Sequence, residues 1–335
     1  MLRKRTMLRV SSICVWMLLS GASVAEEPAQ SDAPTRQARD DAWWTGSVVA
    51  AGAGTLPQGH FLVEPYVYDA VSYGHFDGNG TSRSTPHNEN FGSQTYLLYG
   101  LVDKIAVGLI PRFGYSNLRH GKDSSKIGVG DVTLQGQYRL SHFTEGKRIP
   151  IVSVVLQETL PTGKYDRLGD NPADGQGGGA YVTTLAIYSQ YYFWMPNGRI
   201  LRTRLNVSRS ISERVSLDDE SVYGTPPDFH GDAFPGGSLS WVAACEYSLT
   251  RNWVLALDLL YQHDNATRVN GEVTTSGTDV PLQYASGSSR RFGIVPAVEY
   301  NWSSRVGVIV GARWIGAGRN ADATLTPVAA INLIY

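Results

Sequence analysis

Glu64, Arg112, Asp131, Arg139, Arg202, Arg204, Glu246, Asp258, Arg291, Glu299 and Arg313 fall one position away from apolar side chains, on stretches where every second residue is apolar. Six are cations and five are anions, so neither sign dominates. Charges placed this way can pair with one another, contact a polar solute or move protons. Nothing in the local sequence favours the last. The chain has no G-x-S-x-G, H-E-x-x-H, C-x-x-C or G-x-x-x-x-G-K-[ST] pattern. Its histidines, His60, His75, His87, His120, His142, His230 and His263, fall at the ends of the apolar stretches or between them. Cys14 and Cys245 cannot build a disulfide framework or a four-ligand zinc site. Asp170-Asn171-Pro172-Ala173-Asp174-Gly175 superficially matches a calcium loop, but Pro172 takes a ligand position and the closing Glu is missing. The expectation is a protein that is not an enzyme and needs no metal or organic cofactor. Its ionised side chains face water or each other.

The elements that must hold these charges are β-strands. Trp253, Leu255, Leu257, Leu259 and Tyr261 share one face, with Asp258 and Gln262 on the other. Phe292, Ile294, Pro296, Val298, Tyr300 and Trp302 oppose Arg291, Glu299 and Asn301. Leu239, Trp241, Ala243, Cys245, Tyr247 and Leu249 oppose Glu246, and Val306, Val308, Val310, Ala312 and Trp314 oppose Arg313. Aromatics at the ends of the apolar face distinguish a membrane barrel from a soluble sandwich. The alternation predicts about twelve strands, at 60–73, 91–100, 104–115, 128–140, 149–160, 180–194, 199–211, 237–249, 252–262, 290–302, 305–314 and 323–335. Strands 149–160 and 180–194 do not sort cleanly into two faces. Long and short connections alternate, the long ones including 74–90, 212–236, 263–289 and 315–322. The fold class is therefore all-β: a transmembrane antiparallel up-and-down barrel with both termini on the periplasmic side. An Arg on its lipid face would cost about 2–4 kcal/mol near the midplane, so the charges belong inside. Their balance argues against strong ion selectivity.

Composition agrees. The 335 residues carry a net charge of −1, 18% charged residues and 36 glycines. That excludes a basic nucleic-acid binder, and no nucleic-acid partner is expected. Residues 1–25 read as a signal peptide: Arg3, Lys4, Arg5 and Arg9, an apolar run, then Ser23-Val24-Ala25. Residues 26–59 form a periplasmic N-terminal segment, with small residues from Gly46 to Gly54 and no strand alternation. It either folds into the lumen as a plug or trails as a tail; the sequence leaves both open. Residues 60–335 form the barrel. Its last strand ends on the aromatic Tyr335, resembling the signature read by the barrel-assembly machinery of the Gram-negative outer membrane.

Several blocks carry a resemblance. Ala51-Gly52-Ala53-Gly54-Thr55-Leu56-Pro57-Gln58-Gly59-His60-Phe61, with Glu64-Pro65-Tyr66 after it, resembles the opening of the outer-membrane transporter family associated with the meta-pathway of phenol degradation. Tyr99-Gly100-Leu101-Val102-Asp103-Lys104, Gly128-Val129-Gly130-Asp131-Val132-Thr133-Leu134, Leu160-Pro161-Thr162-Gly163-Lys164-Tyr165-Asp166 and Gly177-Gly178-Gly179 resemble its later blocks. That family is loosely related to fatty-acid and toluene transport barrels. The resemblance implies a channel in outer-membrane lipid for passive uptake of small hydrophobic solutes, aromatic ones included. The alternative is a structural or partner-binding barrel with a closed lumen, and a third class is a surface hydrolase.

Overall fold

The computed structural model describes residues 35–335. The signal-peptide segment 1–25 and the first residues of the 26–59 segment lie outside the described residues.

The strands are β1 (Phe61–Phe76), β2 (Ser82–Val102), β3 (Ile105–Ile110), β4 (Arg112–Asn117), β5 (Gly128–Val129), β6 (Val132–Ser141), β7 (Ile151–Leu160), β8 (Val182–Trp194), β9 (Ile200–Ser212), β10 (Val215–Asp218), β11 (Phe229–Phe234), β12 (Ser238–Ser248), β13 (Trp253–Asp264), β14 (Arg268–Thr275), β15 (Thr278–Ala285), β16 (Ser289–Asn301), β17 (Val306–Arg319) and β18 (Ala321–Ile334). Fourteen of them form one antiparallel sheet, and β1 pairs with both β2 and β18, closing it into a barrel. β3 and β4 are one stave broken at Pro111, and β5 and β6 another broken at Gly130–Asp131. The barrel therefore has twelve staves. Closure leaves no sheet edge, which a wall in lipid requires because hydrocarbon cannot satisfy free N–H and C=O groups.

The two faces separate as alternation demands. Leu259 is 52% exposed while its neighbour Asp258 is 0% exposed. Trp241, Trp253, Phe292, Trp302 and Trp314 all lie on the outer face. β7 and β8 are resolved too: Ser153, Val155, Ala186, Tyr188 and Gln190 are buried inward, whereas Leu156, Leu185 and Ile187 face out. Cys245 is a free thiol on the outer face.

Four connections differ from the sequence reading. β1 and β2 continue well past the wall as one hairpin, so 74–90 is mostly strand. β17 and β18 are joined at Asn320 alone, with φ +46; Asn tolerates this left-handed conformation because its short polar side chain can bond locally. Connections 212–236 and 263–289 fold together into a second, four-stranded sheet, β10-β11-β14-β15. Its hairpin turns at Ser276 and Gly277, φ +50 and +78, a two-residue connection whose twist suits antiparallel strands. Phe229, Leu217, Val269 and Ala180 form its core.

Two predictions follow from these faces. Leu257→Arg, at the middle of β13's outer face, should destabilise the barrel by about 2–4 kcal/mol in vesicle denaturation; an unchanged midpoint would mean that this face does not meet lipid. On the second sheet, His230 Nδ1 lies 3.1 Å from Asp218 Oδ1, and Arg167 pairs with the same carboxylate. The hydrogen bond to Asp218 holds the His230 pKa above its ordinary value; those from His230 and Arg167 hold Asp218 below its own. The contact is complete between about pH 4 and 6.5. It weakens as pH rises through the raised His value, or falls through the lowered Asp value. An NMR titration should place His230 above about 6.5, and Asp218→Asn should return it there.

Candidate functional site

The interior is organised by an irregular strap of small residues. Gln37 anchors it at the short-turn end: its N–H bonds Gly198 O at 3.0 Å, Trp194 Nε1 donates to its carbonyl at 2.9 Å, and its amide reaches Ser248 Oγ at 3.0 Å. Trp43 and Trp44 then lie under the guanidinium groups of Arg251 and Arg202, at 4.4 and 4.3 Å. The strap rises to Val48–Val49 and returns to the turn end, where Thr55 Oγ1 donates to Asp103 O at 2.6 Å and Gln58 N to Asp103 Oδ1 at 3.1 Å.

Such a chain has no ladder, so its backbone groups need other partners. The inward side chains of the wall supply them. Glu299 Oε2 accepts from Thr45 N (2.6 Å) and Gly46 N (3.1 Å). Gly46 has φ +130, a conformation that favours glycine. Asp258 accepts from Ser47 Oγ and, at 3.2 Å, from Ala50 N. Arg204 donates to Ala50 O at 2.5 Å and Asn206 to Ala51 O at 3.0 Å. Gln137 reaches Gly52 O and Gly54 O, and Ser153 donates to Ala53 O at 2.6 Å. Apolar patches of the inner wall seat the same segment: Ala50 packs with Val242, Leu260 and Val295, and Ala53 with Val155 and Ala186.

The charges named from sequence take distinct positions. Arg202 forks onto Glu246, and Arg204 Nε lies 3.0 Å from the same carboxylate; all three are buried. Arg291 pairs with Asp264 at 2.6 Å, an acid the sequence reading did not name. Asn332 donates to Glu64 at 3.2 Å. Asp131 accepts from Gly163 N (3.0 Å) and Gly178 N (2.7 Å), clasping the 161–179 loop onto the break between β5 and β6. A Cβ on Gly163 would come within 2.7 Å of Gly177 Cα, which explains the glycines of that block. Arg112, Arg139 and Arg313 have no ion pair among the described residues. Asp170 pairs with Lys122, and Asp174 accepts from Ser125 N at 2.7 Å. His75 faces Asp322 at 2.8 Å and His263 faces the Ser289 carbonyl.

Beside the strap, three cavities follow one another along the lumen, and all three touch the inner faces of β1 and β18. The upper, about 390 Å³, includes Ala70, Arg291, Arg313 and Thr324. The middle, about 210 Å³, includes Arg313, Thr326, Tyr68 and Gln94. The lower, about 310 Å³, includes Glu64, Leu98, Gln135 and Asn332. Upper and middle share Arg313; middle and lower share Val48, Val49, Tyr66 and Tyr96, whose rings meet edge-on at 5.7 Å. Ascending residue order on β18 (324, 326, 328, 332) fixes the sequence from loop end to turn end. The tyrosines escaped the sequence reading because aromatics were assigned to the outer girdle. Their shared parity with Glu64 was the available signal.

No protein-family model matches the sequence, and no curated protein aligns with it. Among solved structures, the COG4313 outer membrane channel from Pseudomonas putida F1 superposes with a TM-score of 0.63 at 16% identity, covering 86% of this chain and 100% of that one. The β domain of the Bordetella autotransporter Brka gives 0.44 at 11% identity (83% and 100% covered), and the Ralstonia pickettii toluene transporter TbuX 0.35 at 11% (83% and 90%). At such identities the first of these shows a shared fold. The chain has the fold of an outer-membrane β-barrel.

Two substitutions test the strap's anchorage. Glu246→Leu leaves Arg202 and Arg204 buried without a counter-charge and should cost about 3–5 kcal/mol in refolding titrations. Glu299→Gln weakens two charge-assisted bonds and should speed amide exchange at Thr45 and Gly46 by about tenfold or more, since such bonds contribute roughly 1.5–3 kcal/mol. Unchanged exchange would mean that the carboxylate does not hold the strap.

Proposed function

We propose that the protein is an outer-membrane channel for passive entry of small hydrophobic compounds, aromatic ones included, driven only by their concentration gradient. The turn end, with both termini, faces the periplasm; the second sheet faces outward. The 26–59 segment acts as a lumen plug that narrows the route rather than as a free tail. The observation that carries the reading is the series of three cavities beside the strap, reaching from the loop end to the turn end and lined by tyrosine rings where the middle and lower cavities meet. The fold of the COG4313 channel and the sequence resemblance to the phenol meta-pathway transporters support it.

The proposed route does not start from a collecting surface of loop aromatics. Phe229 and Phe76 are buried in packing, and Tyr223 donates its hydroxyl to Gly178 O. Entry would pass Arg291 and Arg313, with no apolar funnel of loop side chains.

One observation favours the closed, structural barrel: the strap satisfies itself so fully against the wall. Removing residues 36–55 and measuring solute-driven liposome swelling separates the two. A channel narrowed by its plug should swell severalfold faster after the deletion, and the intact protein should already pass a single-ring solute. An intact protein that passes no such solute, with or without the strap, would leave the structural reading in place.

A further inference from the structure

The inner wall is balanced in sequence and unbalanced in structure. Glu246 is taken by two arginines, Asp264 by Arg291, Asp258 and Glu299 by the strap, and Asp131 by the 161–179 loop. Every acid on that face has a partner, whereas Arg313 has none.

Arg313 stands where the upper and middle cavities meet. Its Nε is buried and finds no hydrogen-bond partner among the described residues. Thr326, its cross-strand neighbour on β18, is 2% exposed, and its hydroxyl is likewise unpartnered. Both groups line the middle cavity. A buried polar group left unsatisfied costs about 1–3 kcal/mol, and more when charged. Two such groups at one register position, aimed into one small cavity, form an unfilled recognition site. The nearest acid further down the route is Glu64, bonded to Asn332. Asn332 is six residues below Thr326 on β18, about 20 Å of strand at roughly 3.3 Å per residue, too far for contact with Arg313. The remaining walls are Tyr66, Tyr68, Tyr96, Val48, Val49 and Val328, with Gln94, whose amide donates to the Tyr96 hydroxyl at 2.9 Å.

We propose that the middle cavity binds a single-ring aromatic anion. Its carboxylate or sulfonate contacts the Arg313 guanidinium and the Thr326 hydroxyl, and its ring packs among the three tyrosines. Guanidinium suits this role because its planar fork matches a two-oxygen anion. The proposal rests on the channel reading only for its physiological meaning; binding itself does not require flux. It narrows the substrate class from neutral hydrophobic compounds to aromatic acids in their ionised form.

The test uses the full processed chain, folded in neutral detergent, and two probes of fixed charge: benzenesulfonate and phenyltrimethylammonium. Calorimetric titration should show binding of the anion and none of the cation. Arg313→Met should weaken anion binding by about tenfold or more, and Arg313→Lys should retain part of it. Thr326→Val, which leaves every charge in place, should weaken it by a smaller factor. No anion binding, equal binding of both probes, or an unchanged affinity in Arg313→Met would overturn the site. Liposome flux of the same probes is read separately. Anion binding without flux would sink the channel reading and leave the site standing, whereas flux indifferent to probe charge and to Arg313→Met would do the reverse.

Discussion

Inside a membrane wall no buried charge or backbone group can turn to bulk water, so each must find its partner in the protein. That constraint shapes this molecule more than the count of strands does. The outer face meets it chiefly with apolar side chains such as Leu257, Val298 and Val310. The inner face meets it by pairing charges across neighbouring strands, as Arg202 and Arg204 do with Glu246. The strap meets it by borrowing carboxylates, amides and a guanidinium from six different strands. Wall and strap therefore complete each other: Asp258 and Glu299 would be isolated buried charges without the strap, and the strap would be an unsatisfied backbone without them.

The strap's composition follows from the same requirement. A chain of ordinary bulk could not bring its amides within hydrogen-bond reach of wall side chains while lying among them. Gly46 supplies a backbone angle that presents two successive N–H groups to one carboxylate, and the alanines at 50, 51 and 53 let the carbonyls approach Arg204, Asn206 and Ser153. These anchors lie on β6, β7, β9, β13 and β16, with a further one from Asn332 on β18. All three cavities touch β1 and β18. The lower one also reaches β6, β8 and β9, where Gln135, Gln137, Gln190, Arg202 and Arg204 line it, so the route passes beside the charge cluster.

Much of the wall was legible because lipid imposes a period of two on one face, and that period survives in a single sequence. Leu257 against Asp258, or Val298 against Glu299, assigns each strand's inward side without further information. The second sheet was not legible in the same way. Its strands are short, and β15 is exposed nearly throughout, so no alternating apolar pattern marks it. Only the Ser276-Gly277 pair, flanked by Thr275 and Thr278, carried a hairpin signal. The site was half legible. Charge type and parity placed Arg204, Glu246, Asp258 and Glu299 inside, but the sequence cannot say which charges neutralise which, since Arg202 and Glu246 are far apart in the chain. The strap's partners could not be read either, because a backbone amide leaves no trace in residue identity.

Pairing also sets the sign of the route. With the strap seated, its N–H groups occupy Asp258 and Glu299, Glu64 and Asp131 bond neutral donors, and Arg112, Arg139 and Arg313 have no ion pair among the described residues. With the strap withdrawn, those two carboxylates would face the same space, and Val48 and Val49, which separate the middle and lower cavities, would leave with it. Widening the passage and shifting it toward cations are thus one structural event. The preference of this barrel for an anion belongs to its strapped state, because the elements that narrow the lumen are the same ones that cover its acids.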